Sequence, residues 1–302
     1  MIESRFRTAA PAFASESDAA AGACGCQPIG IGDAWRLASR QLDRLDARLL
    51  IEHICGCTHA DLLAHPEKPL SGRQLAALTA LIMRRVRGEP IAYLLGSADF
   101  YGLRFRVSPA VLVPRPETEL LVELALAQLR HREQAKVLDL GTGSGVLAIS
   151  LARLSPKARL TAVDLSPAAL AVARDNAARH AVEVEFLLGD WFAPVGERRF
   201  DLIVANPPYV ADGDPHLLGD GLPFEPAIAL TDGAPDGDGL ACLRQIVGAA
   251  GAHLLPGGCL LVEHGHTQAA NVRRLLEQAG FSTVASWRDL AGVERVSGGG
   301  LP

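Results

Sequence analysis

The 302-residue sequence has no excess of positive charge: 29 Lys and Arg stand against 34 Asp and Glu, a formal net charge of −5. That balance disfavours a partner held mainly through phosphates, although a local basic groove would escape such a count. No apolar run reaches the roughly 20 residues that cross a bilayer, so no membrane association is expected. Arg5 and Arg7 lack the apolar stretch that would follow them in a secretory signal. Glu3, Glu16 and Asp18 interrupt an organelle-targeting pattern. A cytoplasmic protein is expected. Cysteine is sparse, with six in the chain. Cys24-Gly25-Cys26 and Cys55-Gly56-Cys57 are spaced more tightly than structural zinc ligands, and no matched histidine pairs accompany them. Cys242 and Cys259 sit in apolar segments and suit a core. Reduced thiols and no metal are therefore expected. The sequence also has no internal repeat.

It does have apolar mass for a core: 49% of residues are hydrophobic and 21% charged. Residues 1–28 are rich in Ala, Ser and Gly without apolar period, which predicts a disordered extension. Residues 29–90 turn helical. "DAWRLASRQL" and "DARLLIEHICG" place apolar residues three and four apart, with Asp33 and Asp46 as expected N-caps. "SGRQLAALTALIMRRVRG" runs from a Ser71 cap to a Gly88 stop, and "DLLAHP" is a short helix. So small a bundle suits partner recognition better than chemistry. Residues 91–114 alternate apolar and aromatic residues around Gly96 and Gly102, the pattern of a hairpin linker. From 115 to 302, after the helix "ETELLVELALAQLR", short apolar runs alternate with amphipathic helices. That is an α/β pattern: a mostly parallel sheet covered on both faces, with "FSTVASWRDL" and "ERVSGGG" as a closing hairpin.

In such sheets ligands bind beyond the carboxyl ends of the strands. The run "KVLDL" leads into Gly141-Thr142-Gly143-Ser144-Gly145, a loop whose backbone amides can approach a ligand closely. A dinucleotide fingerprint needs a third glycine where Val146 stands. Asp139, just before the loop, repels a pyrophosphate and suits an ammonium. Both features favour S-adenosyl-L-methionine over a nicotinamide dinucleotide. Asp164 ends the next strand about 20 residues on, the usual place for a ribose-binding acid. Its alternative is the cap of the helix near Pro167. Asp190-Trp191 follows the third strand and is positioned to flank an adenine, with the indole as a stacking face.

The strand "DLIVA" then stops at Asn206-Pro207-Pro208-Tyr209. An amino group conjugated to a π system is a poor nucleophile, so catalysis must orient it and stabilise the charge that develops. The Asn206 carboxamide oxygen and the Pro207 carbonyl can accept its two N–H groups. The prolines hold those acceptors rigidly, and Tyr209 offers a ring for a flat target group.

With those residues in view, the chain resembles the release factor glutamine methyltransferases (PrmC/HemK family). "DLGTGSGVLAISLA", "DWF" and "NPPYV" are similar to that family's core motifs. "GEPIAYLLGSADFYGLRFRVSPAVLVPRPETELLVE", "DPHLLGDGLPFEPAIAL" and "LLVEHG" extend the likeness from about Ile31 to Val296. The resemblance implies a class I S-adenosylmethionine-dependent methyltransferase fold, Rossmann-like, preceded by a small helical bundle domain that recognises the substrate. It implies methylation of the glutamine amide nitrogen in the GGQ motif of class 1 peptide chain release factors, by a monomer with no direct nucleic-acid requirement. Carried over by position, Gly141, Thr142, Gly143, Ser144, Gly145, Asp164, Trp191 and Asn206 bind the donor. Asn206, Pro207, Pro208 and Tyr209 hold the glutamine, with Phe100 as a wall of the site. Arg115 and Glu117–Glu119 brace its mouth, and Phe224-Glu225-Pro226 orders the loop after Tyr209. "RVSGGGLP" stops earlier than the family pattern, which predicts a short or frayed final edge strand. The rivals are a nucleic-acid adenine or guanine N-methyltransferase, a dinucleotide oxidoreductase and a non-catalytic adaptor.

Overall fold

Thr58 and Ser71 each begin a helix by reciprocal capping. Thr58 Oγ1 accepts from the Asp61 amide while Asp61 accepts from Thr58, and Ser71 with Gln74 repeats the arrangement. The computed structural model describes residues 28–130, 132–219, 221–234 and 237–302. The expected extension over 1–28 and Cys24-Gly25-Cys26 lie outside these residues, apart from Pro28 itself. The chain divides into two compact units, one ending at Leu95 and the other beginning at Gly96.

The first unit is helical: α1 (Ile31–Ala38), α2 (Arg44–Cys55), α3 (His59–Ala64), α4 (Gly72–Val86) and α5 (Ile91–Leu95). Ile31, Ala34, Leu50, Ile51, Leu62, Leu78 and Ile82 form its interior. Two expected caps fall elsewhere. Gly30 precedes α1, and Asp43 caps α2 by accepting from the Leu45 amide at 2.8 Å. Asp33 and Asp46 each occupy the third helical position, where a carboxylate still meets the positive end of the helix. Asp46 also accepts from Arg85 Nε at 2.6 Å.

The second unit opens with an antiparallel hairpin, β1 (Ser97–Phe100) and β2 (Leu103–Arg106). Its two turn residues, Tyr101 and Gly102, both have positive φ, 49° and 72°, as a twist-matched two-residue turn requires. Helix α6 (Glu119–Leu129) leads into a seven-stranded sheet. Its strands are β3 (Lys136–Leu140), β4 (Arg159–Asp164), β5 (Glu185–Leu188), β6 (Phe200–Ala205), β7 (Leu254–Glu263), β8 (Ser282–Arg288) and β9 (Glu294–Gly300). They lie in the order β5-β4-β3-β6-β7-β9-β8, and every pairing from β5 to β7 is parallel. Helices α7 (Val146–Leu154), α8 (Pro167–Arg179), α9 (Ala241–Ala250) and α10 (Ala269–Gln278) are the crossovers.

Two apolar clusters flank the sheet. One joins Leu121, Val122 and Ala125 of α6 to Val137, Leu202 and Val204. The other joins Leu243, Ile246 and Val272 to Leu138, Leu140 and Ile203. The glycine-ended strand is neither short nor at the edge. β9 runs seven residues, antiparallel to β7 on one side and β8 on the other, which leaves β8 as the edge. A Cβ would collide with β7 at Gly298 and with Phe281 and the start of β8 at Gly299, while Gly300 has ordinary room. The order reverses between β3 and β6, so the loops after these strands open a crevice at their carboxyl ends.

Candidate active site

The loop after β3 is fixed from several directions. The amides of Gly141 and Thr142 both donate to the Val163 carbonyl of β4, at 2.9 and 3.0 Å. Gly145 has φ +85°, and a Cβ there would lie 2.7 Å from Ile149 Cδ1. Gly141 has φ +72°, and its missing Cβ would touch the Trp191 ring at 3.4 Å. The loop therefore needs glycine for both conformation and clearance. Asn176 of α8 donates to the Ser144 carbonyl at 2.8 Å and accepts from the Arg106 amide at 2.7 Å, which ties loop and hairpin together.

Asp139, expected beside an ammonium, instead braces the loop from within. It is fully buried and accepts from Thr142 Oγ1 at 2.6 Å and the Ala148 amide at 3.2 Å. Its Oδ1 has no partner among the described residues. Burial pushes the carboxyl up to about 7, with the negative charge of Asp164 adding to the rise. Asp164 accepts from the Gly143 amide and the Ser166 amide, each at 2.8 Å. Ser166, not Asp164, caps α8 through its hydroxyl. Burial raises the Asp164 carboxyl too. Each of its oxygens has a further lone pair to offer to a ligand hydroxyl.

These elements enclose a cavity of about 370 Å³. Gly141, Thr142, Gly143 and Ser144 line it, with Asp164, Asp190, Trp191, Asn206 and Pro208. Gly145 lies just behind, under α7. Trp191 holds its place with φ 39°, a conformation rare outside glycine. Pro207 and Tyr209 do not line the cavity. Pro207 is buried, and Tyr209 packs on the apolar cluster and donates its hydroxyl to Glu263 Oε1 at 3.2 Å. Phe100 lies away from the cavity as well. It is 2% exposed, edge-on to Phe105 with centroids 6.2 Å apart, in the core beneath α6.

The mouth is strapped. Glu225 is buried, with Oε2 accepting from the Val113 amide at 2.9 Å and Oε1 from Arg115 Nη2 at 2.5 Å. Arg115 lines the cavity, as do Pro226 and Ile228 from the other end of the strap. Glu119 turns away and accepts from the Tyr101 amide at 2.7 Å. Thr118, between the two glutamates, accepts from Asn206 Nδ2 at 3.2 Å. Glu263, buried at the end of β7, accepts from Tyr209, and burial pushes its carboxyl up to about 7. Thr118 falls within the span expected to brace the mouth, whereas no role was expected of Glu263, which an acid closing the apolar run "CLLVE" could have signalled.

The N-terminal segment 34–96 matches the model of the PrmC N-terminal domain, and 117–218 matches that of the methyltransferase small domain. The release factor glutamine methyltransferase of Bordetella pertussis is 52% identical over 88% of this chain and 97% of its own length. That of Burkholderia pseudomallei is 49% identical over 88% and 95%. The chain belongs to the release factor glutamine methyltransferase family. A solved T. thermophilus 16S rRNA N2 G1207 methyltransferase, in complex with AdoMet and guanosine, superposes with a TM-score of 0.51. It is 24% identical and covers 68% of this chain and 50% of that one, a likeness of fold. Together with the sheet order, this is the class I methyltransferase fold. The matches span both the helical unit and the sheet unit, and the cavity is lined only by residues of the latter.

Proposed function

We propose that the protein transfers a methyl group from S-adenosyl-L-methionine to the side-chain amide nitrogen of the glutamine in the GGQ motif of class 1 peptide chain release factors. The observation that carries this reading is one cavity lined by both the glycine loop and Asn206, in a chain of this family. The cavity fits the donor on its own evidence. It offers half-buried backbone at Gly141 and Gly143, a carboxylate with spare lone pairs at Asp164, and an indole face at Trp191. When bound, the donor supplies an electrophilic methyl on a sulfonium.

The chain's own residues do the rest. Asp164 takes ribose hydroxyls and Trp191 covers the base. Asn206 is held by Thr118 through its nitrogen, which leaves its oxygen to accept an N–H of the target amide. Charge growing on the target nitrogen is stabilised by that fixed acceptor, which needs no reorganisation as the methyl moves. Pro207 and Tyr209, which do not line the cavity, hold the turn that presents Asn206, and the Pro207 carbonyl serves as second acceptor only for a target that reaches past the cavity wall. No strong base is needed, because the proton leaves after transfer. The strap at Arg115 and Glu225 keeps bulk water from the donor. The helical segment 29–90 recognises the factor, 91–114 links it to the methyltransferase domain 115–302, and the protein works as a cytoplasmic monomer. No helix among the described residues is long and apolar enough to cross a membrane.

The test is direct. Purified protein with labelled donor should label an intact release factor and not the same factor with its GGQ glutamine replaced. Equal labelling of both would put the methyl elsewhere. Labelling of neither, with labelled nucleic acid instead, would overturn the protein substrate.

A further inference from the structure

We propose that Gln268 is a positioning residue whose side-chain amide pins the turn that carries Asn206. The consequence for turnover rests on the methyl-transfer reading above, but the pinning of Asn206 does not.

Gln268 immediately precedes α10 and is 8% exposed. Its side chain meets backbone at both ends, which settles which end is which. A backbone N–H donates and a carbonyl accepts. Oε1 accepts from the Gly265 amide at 2.8 Å. Nε2 donates to the Tyr209 carbonyl at 3.0 Å and to the Asp238 carbonyl at 3.1 Å. Two glycines clear the space for this amide. A Cβ on Gly239 would strike the Tyr209 carbonyl and come within 3.0 Å of Gln268 Nε2, and one on Gly265 would come within 3.0 Å of Oε1.

The three segments so tied matter to the site. Tyr209 stands where the chain leaves the Asn206–Tyr209 turn for the strap, and Asp238 where the strap returns to α9. One NH₂ group holds both ends. Pinning Tyr209 is felt at Asn206 because little between them can turn. β6 ends at Ala205, and Pro207 and Pro208 fix two of the φ angles that follow. The Tyr209 hydroxyl is anchored to Glu263 at 3.2 Å, and the Val210 amide donates to the Leu230 carbonyl at 3.0 Å. Those contacts hold the ring and the next residue, while Gln268 holds the carbonyl between them. Without that donor, the carbonyls of Tyr209 and Asp238 lose their shared partner and the turn shifts with the strap. An acceptor displaced by about 1 Å costs on the order of 10²-fold in rate. Gln268 does not line the cavity, and its hydrogen bonds leave the glycine loop, Asp164 and Trp191 untouched. Turnover, not donor binding, is therefore what it controls.

The experiment uses the full-length chain. Gln268→Met keeps the volume and removes both polar ends. With donor and release factor it should lower kcat by about tenfold to a hundredfold. Calorimetry should find the donor Kd within about twofold of wild type at undiminished stoichiometry, which separates a displaced turn from a misfolded fraction. Without any substrate, the Asn206 side-chain NH₂ resonances, assigned by their absence in Asn206→Ala, should shift in Gln268→Met. Gln268→Glu keeps the acceptor for Gly265, which leaves the test open if Gln268→Met folds poorly. Its second oxygen faces two carbonyls and can donate to one of them when protonated. The kcat of Gln268→Glu relative to wild type should therefore climb as pH falls. Glu263, His264 and His266 on the connection from β7 to α10, and Asp238 with its partner Arg244, are common to both enzymes, so the ratio cancels them. A Gln268→Met enzyme with full kcat would overturn the proposal, as would unshifted Asn206 resonances or a Gln268→Glu ratio that stays low and flat into acid. A wild-type protein that transfers no methyl would overturn the function instead, and the Asn206 resonances would still decide the role of Gln268.

Discussion

A carboxyl and an amide set most of what this site can do. Asn206→Ala removes the acceptor proposed for the target amide and leaves the glycine loop, Asp164 and Trp191 in place. Turnover should fall by about 10²–10³, the usual loss for one preorganised polar group, with donor affinity within about twofold by calorimetry. Asp164→Ala removes the partner of the Gly143 amide as well as the acceptor proposed for the ribose. Donor affinity should fall about tenfold or more, which corresponds to at least ~1.4 kcal/mol. Asp139 makes a different prediction. Its folded pKa, about 7, lies above the unfolded 3.8. The folded state therefore binds the extra proton, and stability drops as pH rises between those values, with the cost absent below about 4 and complete above about 7. Urea unfolding should show wild type losing more stability between pH 5 and 8 than Asp139→Asn does. Of these residues, Asn206 and Asp164 are legible in the sequence because each ends an apolar strand at a crevice. The role of Asp139 was not, since spacing reveals that an acid precedes the loop but not which way its side chain turns.

At the scale of elements, the strap is the piece that sequence alone assembles least well. Glu225 and Arg115 are 110 residues apart and meet only because the loop after β6 returns over the segment before α6. Glu225→Gln keeps the volume and removes the charge. It should raise donor KM several-fold and speed proteolysis within 211–231, read by mass spectrometry, while the melting temperature of the sheet changes little. The helices show the same limit in miniature. Periodicity locates α1 and α2, yet Asp33 and Asp46 are helix-interior acids, because the N-cap and the third position favour the same residue types for different reasons. The hairpin was legible from Gly102 and its flanking aromatics. The core position of Phe100 was not, since strand alternation cannot say which face the chain will bury.

At the scale of the molecule, the two units each carry an apolar core of their own. A chain beginning at Gly96 should therefore keep donor affinity in calorimetry while losing methylation of the release factor, if the helical unit supplies recognition. The alternation of strand and helix made the sheet and its crevice readable in advance. The placement of β9 was not, because three successive glycines look like a chain coming to an end. They lie instead inside the sheet, where a Cβ on Gly298 would strike the Leu260 carbonyl and come within 2.6 Å of the Leu261 side chain. Gly298 touches no part of the cavity, yet a genetic screen for lost methylation should return it as readily as Asn206. Soluble yield separates the two classes of allele: Asn206 variants accumulate as inactive protein, whereas Gly298 variants hardly accumulate at all.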